Sequence, residues 1–311
     1  MGAIVAGCLT SHAPNITAKP VIADPQQRAR FVAGLETMRR RLLAAKPDVL
    51  VVFANDHLQN FFYDNMPAVC VGLAPSYWAP SNGGAEFLRV PARQIPGAHD
   101  WAKAFVQAGL ERGFDLAYAH ELEFWDDVSV PLHFLLPDAS IPIVPILTNC
   151  VAPPLPRPHR SYELGAFVEA FVDDARPGAE RVALLGTGGI SHWIGVPGHG
   201  RINPEFDQRV LDAIRQGRGE SLAQLTHDEI ETAGGNGGQE IRNWIAVLGA
   251  FHGRKGEVLA YEPVPDWLTG CGAVWMDVSV EHGGLEMAPS PRGGSGRPGG
   301  AVAPLDNPTG S

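Results

Sequence analysis

Three histidines in this chain share one local context. His12, His57 and His192 each follow closely on an apolar run: Ala3 to Leu9, Val49 to Phe53 and Arg181 to Leu185. Each run has the length and branched residues of a buried β-strand, and ligands bind at the carboxyl ends of strands in a parallel α/β sheet. An imidazole in that position either caps a turn or faces a crevice. Glu240 is a fourth candidate. It opens an apolar helical stretch directly after the glycine break Gly234-Gly235-Asn236-Gly237-Gly238. There it either caps a helix N-terminus or is aimed by the glycine hinge into a site. Two imidazoles and one carboxylate with open positions form the facial set that suits non-haem Fe(II). Neutral imidazoles keep the site near modest net charge, the carboxylate stabilises the 2+ state, and the open positions admit a chelating substrate together with O₂.

The elements that must position these groups can be read along the chain. Asp24-Pro25 predicts the start of a helix running to Ala45, with Asp24 as its cap and Phe31, Leu35, Met38 and Leu42 on one face. The first unit is therefore strand, helix, strand with a His at each strand end, and a right-handed crossover puts both ends on one sheet edge. Further strands are expected at Pro67–Leu73, Leu116–Tyr118, Glu257–Tyr261 and Gly272–Val278. Helices are expected at Asp100–Arg112, Pro131–Leu136, Tyr162–Val172, Pro204–Gln216 and Glu240–Phe251. Ala74 to Pro96 reads as a loop over the site, and the two prolines in Ile141–Leu147 favour a strand end or edge position. The alternation predicts one α/β domain over residues 1–282: a central, mostly parallel or mixed sheet flanked by helices, with a helical subdomain around 203–251. Residues 283–311 are rich in Pro, Gly and Ser and read as a disordered tail.

Composition removes several function classes. A net charge of −10 without a Lys/Arg block argues against nucleic-acid or anionic-membrane binding. The cysteines Cys8, Cys70, Cys150 and Cys271 form no CxxC pair, which fits a reducing cytosol and disfavours a Cys-based zinc site. No signal peptide or membrane-length apolar run is visible, so a cytoplasmic location is expected. Gly186-Thr187-Gly188-Gly189 lacks the GxGxxG spacing of a dinucleotide site, and neither Ser11 nor Ser191 lies in a GxSxG elbow. Asn55 and Asp56 are placed to orient His57. Phe61, Phe62 and Trp193 either line an aromatic pocket or pack in the core.

Taken together, Thr10-Ser11-His12-Ala13-Pro14, Asn55-Asp56-His57 with Phe61-Phe62-Tyr63-Asp64, and Gly186 through His192 resemble the LigB-type class III extradiol ring-cleavage dioxygenases. So do Ile202-Asn203-Pro204-Glu205-Phe206-Asp207 and Glu240-Ile241-Arg242-Asn243-Trp244, in register over roughly residues 3 to 279. The resemblance implies a LigB-like fold, with His12, His57 and Glu240 as Fe(II) ligands and His192 as an acid/base. The implied reaction takes a small aromatic diol and O₂ to a ring-opened semialdehyde. A homo-oligomer is implied, with a small partner subunit in some members. GTGGISH and INPEFD resemble the protocatechuate and gallate enzymes, FFYDNMP the 2,3-dihydroxyphenylpropionate enzymes, and a carboxylated catechol is favoured. One departure stands out. Asp126, in Trp125-Asp126-Asp127-Val128-Ser129-Val130-Pro131-Leu132, occupies the place of a further active-site His. It is either a changed catalytic acid or substrate contact, or a residue that faces water, and His120 and His133 lie nearby. Two rival readings use the same residues: a zinc-dependent hydrolase, and a family member that has lost catalysis.

Overall fold

Apolar runs alternating with amphipathic stretches build, in the computed structural model, a mixed sheet covered by helices on both faces. The structure describes residues 1–81, 83–276 and 278. Its strands are β1 (Ala3–Thr10), β2 (Val49–Ala54), β3 (Val69–Gly72), β4 (Ser76–Ala79), β5 (Arg93–Pro96), β6 (Ala117–Ala119), β7 (Ile143–Thr148), β8 (Arg181–Thr187), β9 (Gly256–Val264) and β10 (Thr269–Met276). The main sheet has the order β6-β3-β7-β2-β8-β1-β10-β9. Its central strands β7, β2, β8 and β1 are parallel, whereas β3 and β10 run antiparallel to their inner neighbours.

Strand periodicity explains why both faces are apolar. Along β2, Val49, Val51 and Phe53 enter the core layer that also holds Phe167, Phe171, Trp244 and Ile245. The alternate residues Leu50, Val52 and Ala54 enter the opposite layer with Phe31, Leu35, Met38, Val128 and Leu132. The helices Pro158–Ala175 and Ile241–Ala250 thus cover one face, and Pro25–Ala44 and Asp126–Leu135 the other. Asp24 caps Pro25–Ala44 as expected, its carboxylate accepting from the Gln26 N–H.

The crossover between β1 and β2 leaves a gap that β8 fills, pairing with β1 on one side and β2 on the other. Three parallel strands therefore end side by side, and each carries one of the three histidines past its carboxyl end.

Several expectations change in the structure. Ala74 to Pro96 is not a plain loop: β4 and β5 form a two-stranded antiparallel sheet around a short helix, Gly84–Leu88. β7 lies inside the sheet between β3 and β2 despite Pro145. Its ladder to β3 covers Ile146, Leu147 and Thr148 and stops short of Pro145. The ring packs instead at Gly72, where a Cβ would come within 2.6 Å of Pro145 Cγ. The helix expected from Pro131 starts at Asp126 and carries Pro131 in its interior, which puts Asp126 in the first turn. The helix expected from Glu240 is preceded by a 3₁₀ turn, Gly237–Glu240, and becomes α-helical at Ile241. The tail expected at 283–311 lies outside the described residues.

Candidate metal centre and active site

The strand ends bring four side chains to one point. Glu240 stands at its centre: Oε1 lies 3.0 Å from His57 Nε2, and Oε2 lies 3.3 Å from His12 Nε2 and 3.7 Å from His192 Nε2. The His12 and His57 rings meet edge to face with centroids 5.1 Å apart. All four sequence-predicted groups are thus brought together, although they come from positions as far apart as 12 and 240.

Each group is held by its local backbone. β8 is in register with β1 such that Thr187 lies opposite Thr10, and Thr187 Oγ1 is 3.1 Å from His12 Nδ1. The Glu240 carboxylate accepts the Gly189 N–H at 2.8 Å and the Asn55 Nδ2–H at 3.2 Å. Asn243, one turn along the helix, donates to Asn55 Oδ1 and to the Thr187 carbonyl. The glycine break is explained by contact: a Cβ at Gly237 would sit 2.0 Å from His192 Nε2, and one at Gly188 (φ +118°) 2.7 Å from Glu240 Cβ. The glycines therefore let backbone close around the site's own side chains.

His57 is oriented differently from expectation. Its Nδ1 lies 3.2 Å from Asp126 Oδ1, while its Nε2 faces Glu240. Asn55 serves Glu240 instead, and Asp56 caps the following turn by accepting from the N–H groups of Gln59, Asn60 and Phe61. Asp126 is 7 % exposed, so the water-facing reading of this residue is ruled out. His120 and His133 do not line the cavity here. The sequence signal for Asp126 was its place where the resemblance leads one to expect an active-site His; its partner 69 positions away had no local signal.

The charges are strongly coupled. Burial pushes the Glu240 carboxyl upward, but His12 and His192 outweigh it and hold its pKa well below the usual range. Burial opposes protonation of His57, yet Asp126 and Glu240 raise its pKa well above the ordinary imidazole value. His12 is raised in the same way, with Glu240 overcoming burial. Asp126 is lowered because His57 outweighs its burial. His192 behaves oppositely: burial dominates and lowers it. Two carboxylates thus share imidazoles that attract protons, a place where a divalent cation can replace those protons.

The donor set fits a metal. The buried His12 Nε2 makes no hydrogen bond although Glu240 lies beside it. Donor atoms of His12, His57 and Asp126 also lie within 4.8 Å of one another. The set with Glu240 is chemically preferable, because Nε2 of both histidines faces Glu240 while Asp126 approaches the far nitrogen of His57. Carboxylates at that far nitrogen commonly orient a ligating imidazole.

The four groups open into a cavity of about 420 Å³. Its apolar wall is Ala13, Pro14, Val151, Ile194, Trp267 and Leu268, with Cys150 beside them. Phe61, Phe62 and Trp193 do not line it; Phe62 is exposed, and Trp193 lies under the Arg201 guanidinium. Sequence reading missed Val151, Ile194 and Trp267, which lie in separate segments between the strands, Trp267 at the end of a 3₁₀ turn. No helix among the described residues is long and apolar enough to cross a membrane.

Comparison with known proteins gives the family and the fold. Residues 6–272 match the family described as the catalytic LigB subunit of aromatic ring-opening dioxygenase. A Klebsiella pneumoniae 2,3-dihydroxyphenylpropionate/2,3-dihydroxicinnamic acid 1,2-dioxygenase is 29% identical over 320 residues, covering 86% of this chain and 96% of that protein. The Escherichia coli K12 enzyme of the same name is 27% identical over 317 residues, with the same coverage. An uncharacterized Escherichia coli K12 protein of known crystal structure shares the fold, with a TM-score of 0.56 and 17% identity, covering 88% of this chain and 100% of that one.

Proposed function

The chain belongs to the LigB family of aromatic ring-opening dioxygenases, and from that premise we propose that it holds Fe(II) through His12, His57 and Glu240. Its reaction is extradiol cleavage of a catechol-like ring, beside a hydroxyl, with both atoms of O₂ entering a ring-opened semialdehyde. The observation that carries this reading is the convergence of two Nε2 atoms and one carboxylate, 3.0 and 3.3 Å apart, with each imidazole's other nitrogen already engaged. Bound Fe(II) supplies the electron transfer that lets O₂ react with an electron-rich ring.

The chain's own residues supply the rest. His192 Nδ1 lies 3.3 Å from the Ile190 carbonyl, which fixes the tautomer with the proton on Nδ1. Nε2 then keeps its lone pair and faces the cavity. Its lowered pKa leaves it neutral near pH 7, able to take a proton from a catechol hydroxyl and return it as the ring opens. Asn55 and the Gly189 N–H hold the Glu240 carboxylate in place. Asp126 holds His57, so in this reading it is a positioning residue. The apolar wall places the ring and excludes water.

The test is anaerobic loading with Fe(II), metal analysis, and exposure to O₂ with a panel of catechols. Yellow ring-opened product and O₂ consumption are followed together. One O₂ should be consumed per product. His12→Ala should lose the metal and the activity. His192→Gln should keep the metal while turnover falls by about 10²–10⁴-fold. Product formed by the zinc-loaded protein without O₂ would instead establish a hydrolase.

A further inference from the structure

The cavity wall carries two carboxylates, Asp126 and Glu240, and neither Lys nor Arg among the described residues. Its uncharged polar side chains are partly engaged, Asn15 and Asn236 each through one of their two amide N–H groups. Asn15 Nδ2 donates to the Asp266 carbonyl, Asn236 Nδ2 to the Ile194 carbonyl, and the Thr269 hydroxyl to the Trp267 carbonyl. None of the cations on neighbouring segments lines the cavity, although the buried Arg242 keeps Nη2 without a hydrogen bond. Lys19 pairs with Asp266 at 2.6 Å, Arg201 lies 4.7 Å above the Trp193 ring, and the buried Arg242 donates to the Pro156 and Gln239 carbonyls. What remains for a ring substituent is the apolar face of Ala13, Pro14, Val151, Ile194, Trp267 and Leu268.

We propose that the site selects catechols whose ring substituent is uncharged and discriminates against carboxylated ones, an inference that rests on the ring-cleavage reading above. A carboxylate entering this cavity would leave water without gaining a Lys or Arg among the lining residues, against the single spare amide N–H of Asn15 and of Asn236. It would also approach the fixed negative charge of Asp126. An uncharged chain on the same ring loses nothing polar and covers the apolar wall. The volume of about 420 Å³ accommodates a catechol with a substituent of several heavy atoms. Asp126 is central to the discrimination: it puts an anion where the resemblance leads one to expect an imidazole. The carboxylated substrate expected from the sequence thus meets no complementary charge here, although the substrates in the relatives' names bear carboxylic acids.

The decisive comparison uses 2,3-dihydroxyphenylpropionate and its methyl ester, which share ring, spacer and shape and differ in charge. The Fe(II)-loaded protein is titrated with each under anaerobic conditions for Kd, then assayed with O₂ for kcat/KM. The ester should bind and turn over at least about tenfold better, a difference near 1.4 kcal/mol. Val151→Arg, at a rim position 37% exposed, should shift the acid-to-ester affinity ratio at least about tenfold toward the acid, whatever it costs the ester. Equal or tighter binding of the acid by the unaltered protein overturns the proposal. The binding order decides this inference without turnover, so tighter ester binding with neither compound cleaved would refute ring cleavage and leave the selectivity standing.

Discussion

Replacing Asp126 tests the division of labour at the proposed metal centre most directly. Its Oδ1 lies 3.2 Å from His57 Nδ1, and His57 Nε2 faces Glu240. Asp126→Asn keeps an acceptor oxygen at the same place and removes only the charge. A hydrogen bond to a charged group contributes about 1.5–3 kcal/mol, against about 0.5–1.5 kcal/mol for a neutral one. The charge itself is therefore worth about 1 kcal/mol here, and the low end applies because the His57 side chain is 27% exposed and partly screened. That corresponds to a loss of metal affinity of five- to tenfold, taking about 1.4 kcal/mol per decade. Asp126→Ala also removes the acceptor, and orienting partners of ligating imidazoles contribute about 10–100-fold. Glu240→Gln removes the anionic ligand and should cost about 10²–10⁴-fold, from the roughly 3–5 kcal/mol lost when one partner of a buried charged set is removed. Anaerobic titration with Fe(II), or with Co(II) followed by its absorption, measures all three variants against the parent. The order expected is Asn, then Ala, then Glu240→Gln, each weaker than the last. If Asp126→Asn abolished binding and Glu240→Gln retained it, the ligand set would be His12, His57 and Asp126 rather than His12, His57 and Glu240.

Two further outcomes follow from the packing around His192. Gly237→Ala puts a Cβ where His192 Nε2 now lies, at 2.0 Å, so the imidazole must move. Turnover should fall about 100-fold or more, on the scale of losing a general base, while metal stoichiometry stays at the parent value; full activity would mean that His192 is not held as described. Asp207, fully buried, accepts the Ser191 N–H and the Tyr261 hydroxyl, and burial pushes its carboxyl from 3.8 to about 6. The folded chain keeps a proton that the unfolded chain has already released. Stability at this residue is therefore greatest below pH 4, declines as pH rises to about 6, and is flat above. The roughly two-unit shift corresponds to about 3 kcal/mol. Asp207→Asn cannot titrate, so its stability relative to the parent should improve between pH 4 and pH 7 in urea unfolding with chelator present. A difference that did not change with pH would contradict the raised pKa.

The sequence determined the backbone-level features of this protein. Uninterrupted runs such as Val49–Phe53 have the length and branched residues of buried strands, and Asp24-Pro25 and Asn203-Pro204 mark helix starts through local capping chemistry. The strand-end placement of His12, His57 and His192 and the position of Glu240 after a glycine break followed from the same local rules. Tertiary structure decided what those rules do not reach. The insertion of β8 between β1 and β2 is a matter of strand order, and it is what aligns the three histidines. β7 lies inside the sheet because Gly72 makes room for Pro145, a compensation located on another strand. Asp126 was legible as a departure but not as a partner of His57, because a hydrogen bond between residues 69 apart leaves no periodicity to read. The cavity wall is drawn from separate connecting segments around Val151, Ile194 and Trp267. Its charge, which governs the substituent the site accepts, exists only once the chain has brought those segments together.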